Sequence, residues 1–159
     1  MRFGSVLWAH PIDERNPTPG YSDHARVVRS SYVDAAPVSR TRNDPPPDVV
    51  ERLKHTALGL ESVRIRLGAP IVVSSGYRSP ELNVAVGGSK NSDHTRGDAA
   101  DFICQGFGAP STIVSALKDS GIQFDQLIEE FGRWVHISFG PRMRGQVLRI
   151  DRNGTRPWM

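Results

Sequence analysis

Ser92-Asp93-His94-Thr95-Arg96-Gly97-Asp98-Ala99-Ala100-Asp101 is the stretch that decides the reading of this chain. A histidine stands in a polar loop. Seven residues on, an aspartate stands among small and apolar residues that continue as Phe102-Ile103-Cys104. Ala99 to Cys104 therefore reads as a strand. A carboxylate in a buried strand is costly unless it is paired or bound to a metal. Gly97, Ala99 and Ala100 leave room for something to approach, and a divalent cation with mixed nitrogen and oxygen ligands is the nearest chemically sensible occupant. A third ligand is then required. Trp134-Val135-His136-Ile137-Ser138 supplies it, a histidine flanked by apolar residues in a second strand. Two histidines and one carboxylate, with a fourth position left to water, make the donor set of a catalytic rather than a structural zinc site. His136 alone would read as an ordinary half-buried histidine; the combination makes it a candidate ligand.

Outward from this stretch, the clearest element lies upstream. Asp44 reads as the cap of a helix whose first turn is Pro45-Pro46-Pro47. Val50, Leu53, Ala57, Leu60, Val63 and Leu67 recur at spacings of three and four and define one buried stripe. Gly68 stops the helix, with Pro70 just beyond. Ile71-Val72-Val73 reads as a buried strand, and Ser79-Pro80-Glu81 opens a short helix closed by Gly87-Gly88. Pro110 to Ser120 is a second amphipathic helix. Phe124 to Phe131 and Trp134 to Phe139 read as a hairpin turning at Gly132-Arg133, and Gln146 to Ile150 as a last edge strand. The sum is an α+β domain, a small, mostly antiparallel sheet with flanking helices. Residues 1–44 are expected to be an irregular N-terminal segment, with a short helix after Ser22. Residues 45–151 form the domain, and 152–159 a loose tail.

Composition narrows the classes. A chain of 159 residues is one domain by the usual prior. It is long enough to bury a core without disulfides, and Cys104 is its single cysteine. Lys+Arg 20 against Asp+Glu 17 gives a net charge of +3, which fits an anionic polymer as partner but is too small an excess to imply nucleic acid. No apolar run approaches the length of a membrane span. The N-terminus breaks at His10-Pro11 and lacks the apolar core of a secretory signal. The expectation is synthesis in a cytoplasm without a signal peptide, with any action outside depending on another exit route. No feature specifies an oligomeric state.

Together these residues resemble the zinc D-Ala-D-Ala peptidases of the hedgehog/DD-peptidase fold, which include bacterial carboxypeptidases and phage endolysins. The motif S-x-H-x-x-G-x-A-x-D matches at Ser92, His94, Gly97, Ala99 and Asp101. W-x-H matches at Trp134 and His136, and the upstream S-G-Y-R-S-P-x-L-N runs from Ser75 to Asn83. The resemblance covers roughly Pro45 to Ile150. It implies one zinc ion per chain held by His94, Asp101 and His136, and a peptidoglycan stem peptide as substrate. It also implies that Arg78 reaches the site, where its fork of donors suits a substrate carboxylate or a developing oxyanion, and that Ser92 lies beside the substrate. On this resemblance the protein acts on the bacterial wall after release, as an endolysin or a carboxypeptidase does.

The general base is where the sequence departs from the better-known members. They carry a glutamate three residues before the last histidine ligand; here that position is Arg133, which cannot accept a proton at neutral pH. The branch with D-Q-L-I-x-E ahead of W-V-H matches at Asp125, Gln126, Leu127, Ile128 and Glu130, which favours Glu130 as the catalytic base. A strict two-residue turn at Gly132-Arg133 would instead set Glu129 opposite His136, and a bulge would exchange the two. His10, His24 and His55 read as outside the site. Cys104 reads as a core residue, Ser138 as a group on the His136 face, and Trp134 as a wall of the site. Besides an active zinc peptidase, two further readings stand. One is a weak or inactive wall-binding or virion component of the same fold, kept open by Arg133; the other is an unrelated zinc hydrolase.

Overall fold

The computed structural model describes residues 42–159. The helix expected after Ser22, with His10, His24 and all but the last three residues of segment 1–44, lies outside the described residues. Helix α1 spans Pro47–Leu67. Proline is tolerated in its first turn because those amides have no partner within the helix. The N-cap is Pro46, with no side-chain cap bond. Asp44, the expected cap, lies two residues further upstream and pairs with Arg42 at 3.4 Å in an exposed position. The buried stripe is Val49, Leu53, Thr56, Ala57, Leu60, Val63 and Leu67, so it begins at Val49 rather than Val50. Gly68 ends the helix at φ 63, its N–H shared between the Arg64 and Ile65 carbonyls.

The remaining elements are β1 (Val72–Ser75), α2 (Pro80–Ala85), a 3-10 turn (Asp93–Arg96), β2 (Ala99–Ile103), α3 (Pro110–Lys118), β3 (Gln126–Glu130), β4 (Trp134–Ser138), β5 (Gln146–Asp151) and β6 (Gly154–Pro157). The strands form one sheet in the order β1-β2-β4-β3-β5-β6. Every pairing is antiparallel except β3 with β5. The expected α+β class with a mostly antiparallel sheet is what the structure shows.

Alternation along the central strands separates core from site. Ala100 and Phe102 of β2, Val135 and Ile137 of β4, and Leu127 of β3 join Leu60 and Val63 of α1 and Ile113, Val114 and Leu117 of α3 in one buried cluster. The intervening residues, Asp101, His136 and Glu130, therefore stand on the opposite face of the sheet. The helices α1 and α3 supply the core, and the other face of the sheet is left for chemistry.

Two expectations are corrected at the C-terminus. Residues 152–159 are not a loose tail: Gly154–Pro157 is a strand paired with β5. Trp158 donates its N–H to the Val147 carbonyl at 3.0 Å and lies under the Arg149 guanidinium at 4.5 Å. Strand β5 is accordingly not the sheet edge. Gly154-Thr155-Arg156-Pro157 shows no apolar alternation because this edge strand is largely exposed, which is why the sequence pattern missed it.

The sequence suggests that Gly97 leaves room for a cation, but what approaches it is α1. A Cβ there would lie 2.9 Å from Val49 Cγ1 and 3.0 Å from its carbonyl oxygen, and the residue sits at φ 76. Thr56 Oγ1 donates to the Gly97 carbonyl at 2.7 Å and seals the contact. Gly97→Ala therefore combines left-handed strain with overpacking, and we expect a loss of about 2–4 kcal/mol in a denaturant titration. A loss below about 0.5 kcal/mol would show that α1 does not need this close approach.

Candidate metal centre

Ser92 Oγ accepts the His94 N–H at 3.3 Å and caps the 3-10 turn that carries His94. Asp101 in β2 is directly opposite His136 in β4. The turn brings His94 over that pair. His94 Nε2 lies 3.0 Å from Asp101 Oδ1 and 3.2 Å from His136 Nδ1, and His136 Nδ1 lies 2.9 Å from Asp101 Oδ1. All three residues are buried. His94 Nδ1–H donates to the Gly76 carbonyl at 2.6 Å, which leaves Nε2 as the lone-pair atom.

Three donor atoms thus converge on one point. Zinc bonds of about 2.0–2.2 Å put the corners of a tetrahedron about 3.3–3.6 Å apart. The donors are already within a few tenths of an ångström of that spacing, and their chemistry, two imidazoles and a carboxylate, suits zinc. The residues present fit the group. Their electrostatics point the same way. Burial opposes ionisation of Asp101, yet His94 and His136 overcome it and hold its carboxyl far below the usual range. Burial pushes His94 below its ordinary value, keeping the imidazole neutral as a ligand must be. Burial acts on His136 too, but the Asp101 bond wins and raises it.

Arg78 is buried beside these donors. Its Nη2 bonds Asp101 Oδ2, and its Nε donates to Ser75 Oγ at 2.9 Å. It orients the carboxylate of the donor set, the kind of outer contact that metal sites use. Asn43 holds the backbone on both sides of Arg78: its Nδ2 donates to the Tyr77 carbonyl at 3.0 Å, and its Oδ1 accepts the Ser79 N–H at 2.7 Å. Sequence reasoning missed Asn43, since nothing in an isolated asparagine 35 residues upstream signals such a clamp.

The turn between β3 and β4 decides which glutamate meets the site. It has three residues, Phe131-Gly132-Arg133, not two, with Glu130 opposite Trp134 and Ile128 opposite His136. Arg133 N–H donates to the Glu130 carbonyl at 2.9 Å, and Phe131 (φ 55) and Gly132 (φ 68) are both left-handed, the type I′ pattern. The extra residue moves the register by one and puts Glu130 on the His136 face. Glu129 faces the other way: its Oε1 accepts the Gly132 N–H at 2.6 Å, and its Oε2 pairs with Arg149 at 2.5 Å. Burial raises the Glu130 carboxyl above its ordinary value, while Trp134 Nε1–H donates to its Oε2 at 3.1 Å. A raised carboxyl beside a donor set is the profile of an acid–base group.

These side chains line a cleft of about 630 Å³. Ser92 reaches its wall, as does Trp134, half-buried against Phe131 at 5.9 Å between ring centroids. The cleft also takes in Arg142 and Arg144, which sequence reasoning did not single out. Ser138 shares the His136 face, but its hydroxyl accepts the Gln126 N–H at 3.2 Å. Cys104 is in the core and His55 is exposed on α1.

Asp125 anchors the arginines. Arg144 donates to it through Nε (2.7 Å), Nη2 (2.6 Å) and its backbone N–H (3.1 Å), and Arg142 through Nη2 (2.9 Å). The Arg144 bonds bring the Asp125 carboxyl down to about 2. A folded-state value below the ordinary one of about 3.9 gives stability that is present above about pH 4 and lost as pH falls toward 2. The melting temperature of Asp125→Asn should therefore vary less between pH 4 and 2 than that of the unaltered protein. Parallel curves would remove Asp125 from the acid-sensitive set.

A mixed α+β sheet that carries a buried His/Asp/His donor set on its open face, with a glutamate and an arginine beside it, defines a metallopeptidase-like protein. The chain belongs to the Peptidase M15 family, whose sequence profile matches residues 27–138. That match contains His94, Asp101 and His136, and it begins upstream of the boundary expected at residue 45. The family consists of metallopeptidases, typically zinc-dependent. No curated protein matches the chain.

Proposed function

We propose that the protein is a zinc peptidase that hydrolyses peptide bonds in the stem peptides of bacterial peptidoglycan. The observation that carries this reading is the convergence of His94 Nε2, His136 Nδ1 and Asp101 Oδ1 within 3.2 Å of one another on the wall of an open cleft. Polarising a carbonyl and making a water nucleophilic at neutral pH are the chemistry that zinc supplies when bound. Glu130 takes the proton from the attacking water and delivers it to the leaving amine. Arg78 fixes Asp101 and sets positive charge near the oxygen on which negative charge develops. The Gly76 carbonyl keeps His94 in the ligating tautomer. The wall peptide as substrate rests on the family and on the motif resemblance, and action on the wall after release from the cell goes with it.

Arg133 keeps a second reading open, a wall-binding or virion component without turnover. It occupies the position at which better-known relatives carry their glutamate, and here it is exposed at the hairpin turn. Incubation with purified peptidoglycan separates the two. New amino groups or free D-alanine, abolished by EDTA and restored by zinc, support the peptidase. Sedimentation with the wall and no release of either would establish the binding component instead.

A further inference from the structure

The β3–β4 ladder runs along the cleft with His136 near its middle, opposite Ile128. Phe131 and Trp134 lie at one end. At the other end, beyond Gln126, the segment between β4 and β5 folds back: Gly145 N–H donates to the Phe124 carbonyl, and Arg144 grips Asp125. This places Asp125, which both arginines grip, about 10 Å along the strand from the donor set, at about 3.3 Å per residue. We propose that these two arginines form a second substrate-binding position, one that takes a carboxylate of the peptide about two to three residues from the bond being cut. The proposal deepens the peptidase reading and rests on it.

Five observations support it. Both side chains line the same cleft as the donor set. Both are held from behind by carboxylates that cannot leave: Asp125 has no exposed side-chain surface, and Asp93 only 5%. Yet the arginine side chains themselves are open to solvent, 48% exposed for Arg142 and 36% for Arg144. Donors also remain. The bonds of Arg142 to Asp93 (3.1 and 3.1 Å) and to Asp125 all use Nη2, and those of Arg144 use Nε and Nη2 besides its backbone. Arg142 Nε and Nη1 and Arg144 Nη1 thus have no bond among the described residues. The local charge is positive as well. Three carboxylates, Asp93, Asp98 and Asp125, face four guanidiniums, Arg52, Arg96, Arg142 and Arg144. Arg78 is a poorer reader of a distant carboxylate, because its guanidinium is engaged with Asp101 and Ser75.

A rigid arginine fork with spare N–H donors suits a carboxylate, and a carboxamide satisfies it poorly. The test compares a wall stem peptide with the same peptide whose internal and side-chain carboxylates are converted to carboxamides, its terminal carboxylate kept. The expected result is a KM about tenfold higher for the carboxamide form with the unaltered zinc-loaded protein. In the double variant Arg142→Gln, Arg144→Gln that ratio falls to near one, an outcome a merely structural role for the arginines would not produce. Equal KM values for the two peptides in the unaltered protein overturn the proposal, and that comparison needs no variant to fold. Turnover of neither peptide counts against the peptidase reading itself. The calorimetric Kd of the zinc-loaded protein for the two peptides then decides the arginine claim by the same ratio.

Discussion

Glu130→Gln should keep its metal and lose turnover by about 10²–10⁴-fold, the range for removing a positioned general base. Strand register sets the role of this side chain. Glu130 shares a sheet face with His136 because Ile128, not Glu129, stands opposite that histidine. It lines the cleft, and burial raises its carboxyl, moving it toward the range in which a base works best at neutral pH. Glutamine keeps the shape and can still accept the Trp134 Nε1–H bond, so packing is spared while proton transfer is removed. Glu129→Gln serves as the contrast. It weakens the pairing with Arg149 on the opposite face and should leave zinc content and kcat within about threefold of the unaltered protein, as expected when a side chain does not touch the reacting groups. If Glu129→Gln is the dead variant and Glu130→Gln the active one, the roles assigned to the two faces are reversed.

The second large effect is loss of the metal. His94→Ala, Asp101→Ala or His136→Ala each removes one of three donors, and each should bring zinc below one equivalent per chain in elemental analysis after dialysis. Asp101→Ala carries the heaviest penalty. It removes the carboxylate that both imidazoles face and breaks the buried pair with Arg78, a loss of about 3–5 kcal/mol. Asp101→Asn retains the shape and helps separate instability from lost ligation. A variant that retains a full equivalent of zinc takes its residue out of the ligand set.

Much of this arrangement is legible in the sequence, for physical reasons. A 21-residue helix with apolar residues every three or four positions announces its buried face, and Gly68 announces its end. The strand histidine and strand aspartate stand out because buried polar groups need partners. The limits are equally physical. Val49 replaces Val50 because helical phase is fixed by what the first turn packs on, here Gly97, a contact between residues 48 apart. The β3–β4 turn has a phenylalanine at φ 55, a conformation that residue type signals only for glycine or asparagine, so the two-residue loop was the natural expectation and Glu129 remained a contender. The aspartate–arginine lattice joins partners 49 and 17 residues apart, and no local pattern marks it. The one hint was Asp125 itself, an acidic residue at the mouth of an apolar strand.

The central claim is that one divalent metal sits among three side chains drawn from a turn and two neighbouring strands, with a corner left for water. Crystals diffracted at the zinc absorption edge test it most directly. The account predicts one anomalous peak per chain, about 2.0–2.2 Å from His94 Nε2, His136 Nδ1 and an Asp101 oxygen, with no fourth protein ligand. A zinc-replete crystal with no peak at that point, or with a metal enclosed by four protein atoms, would contradict it.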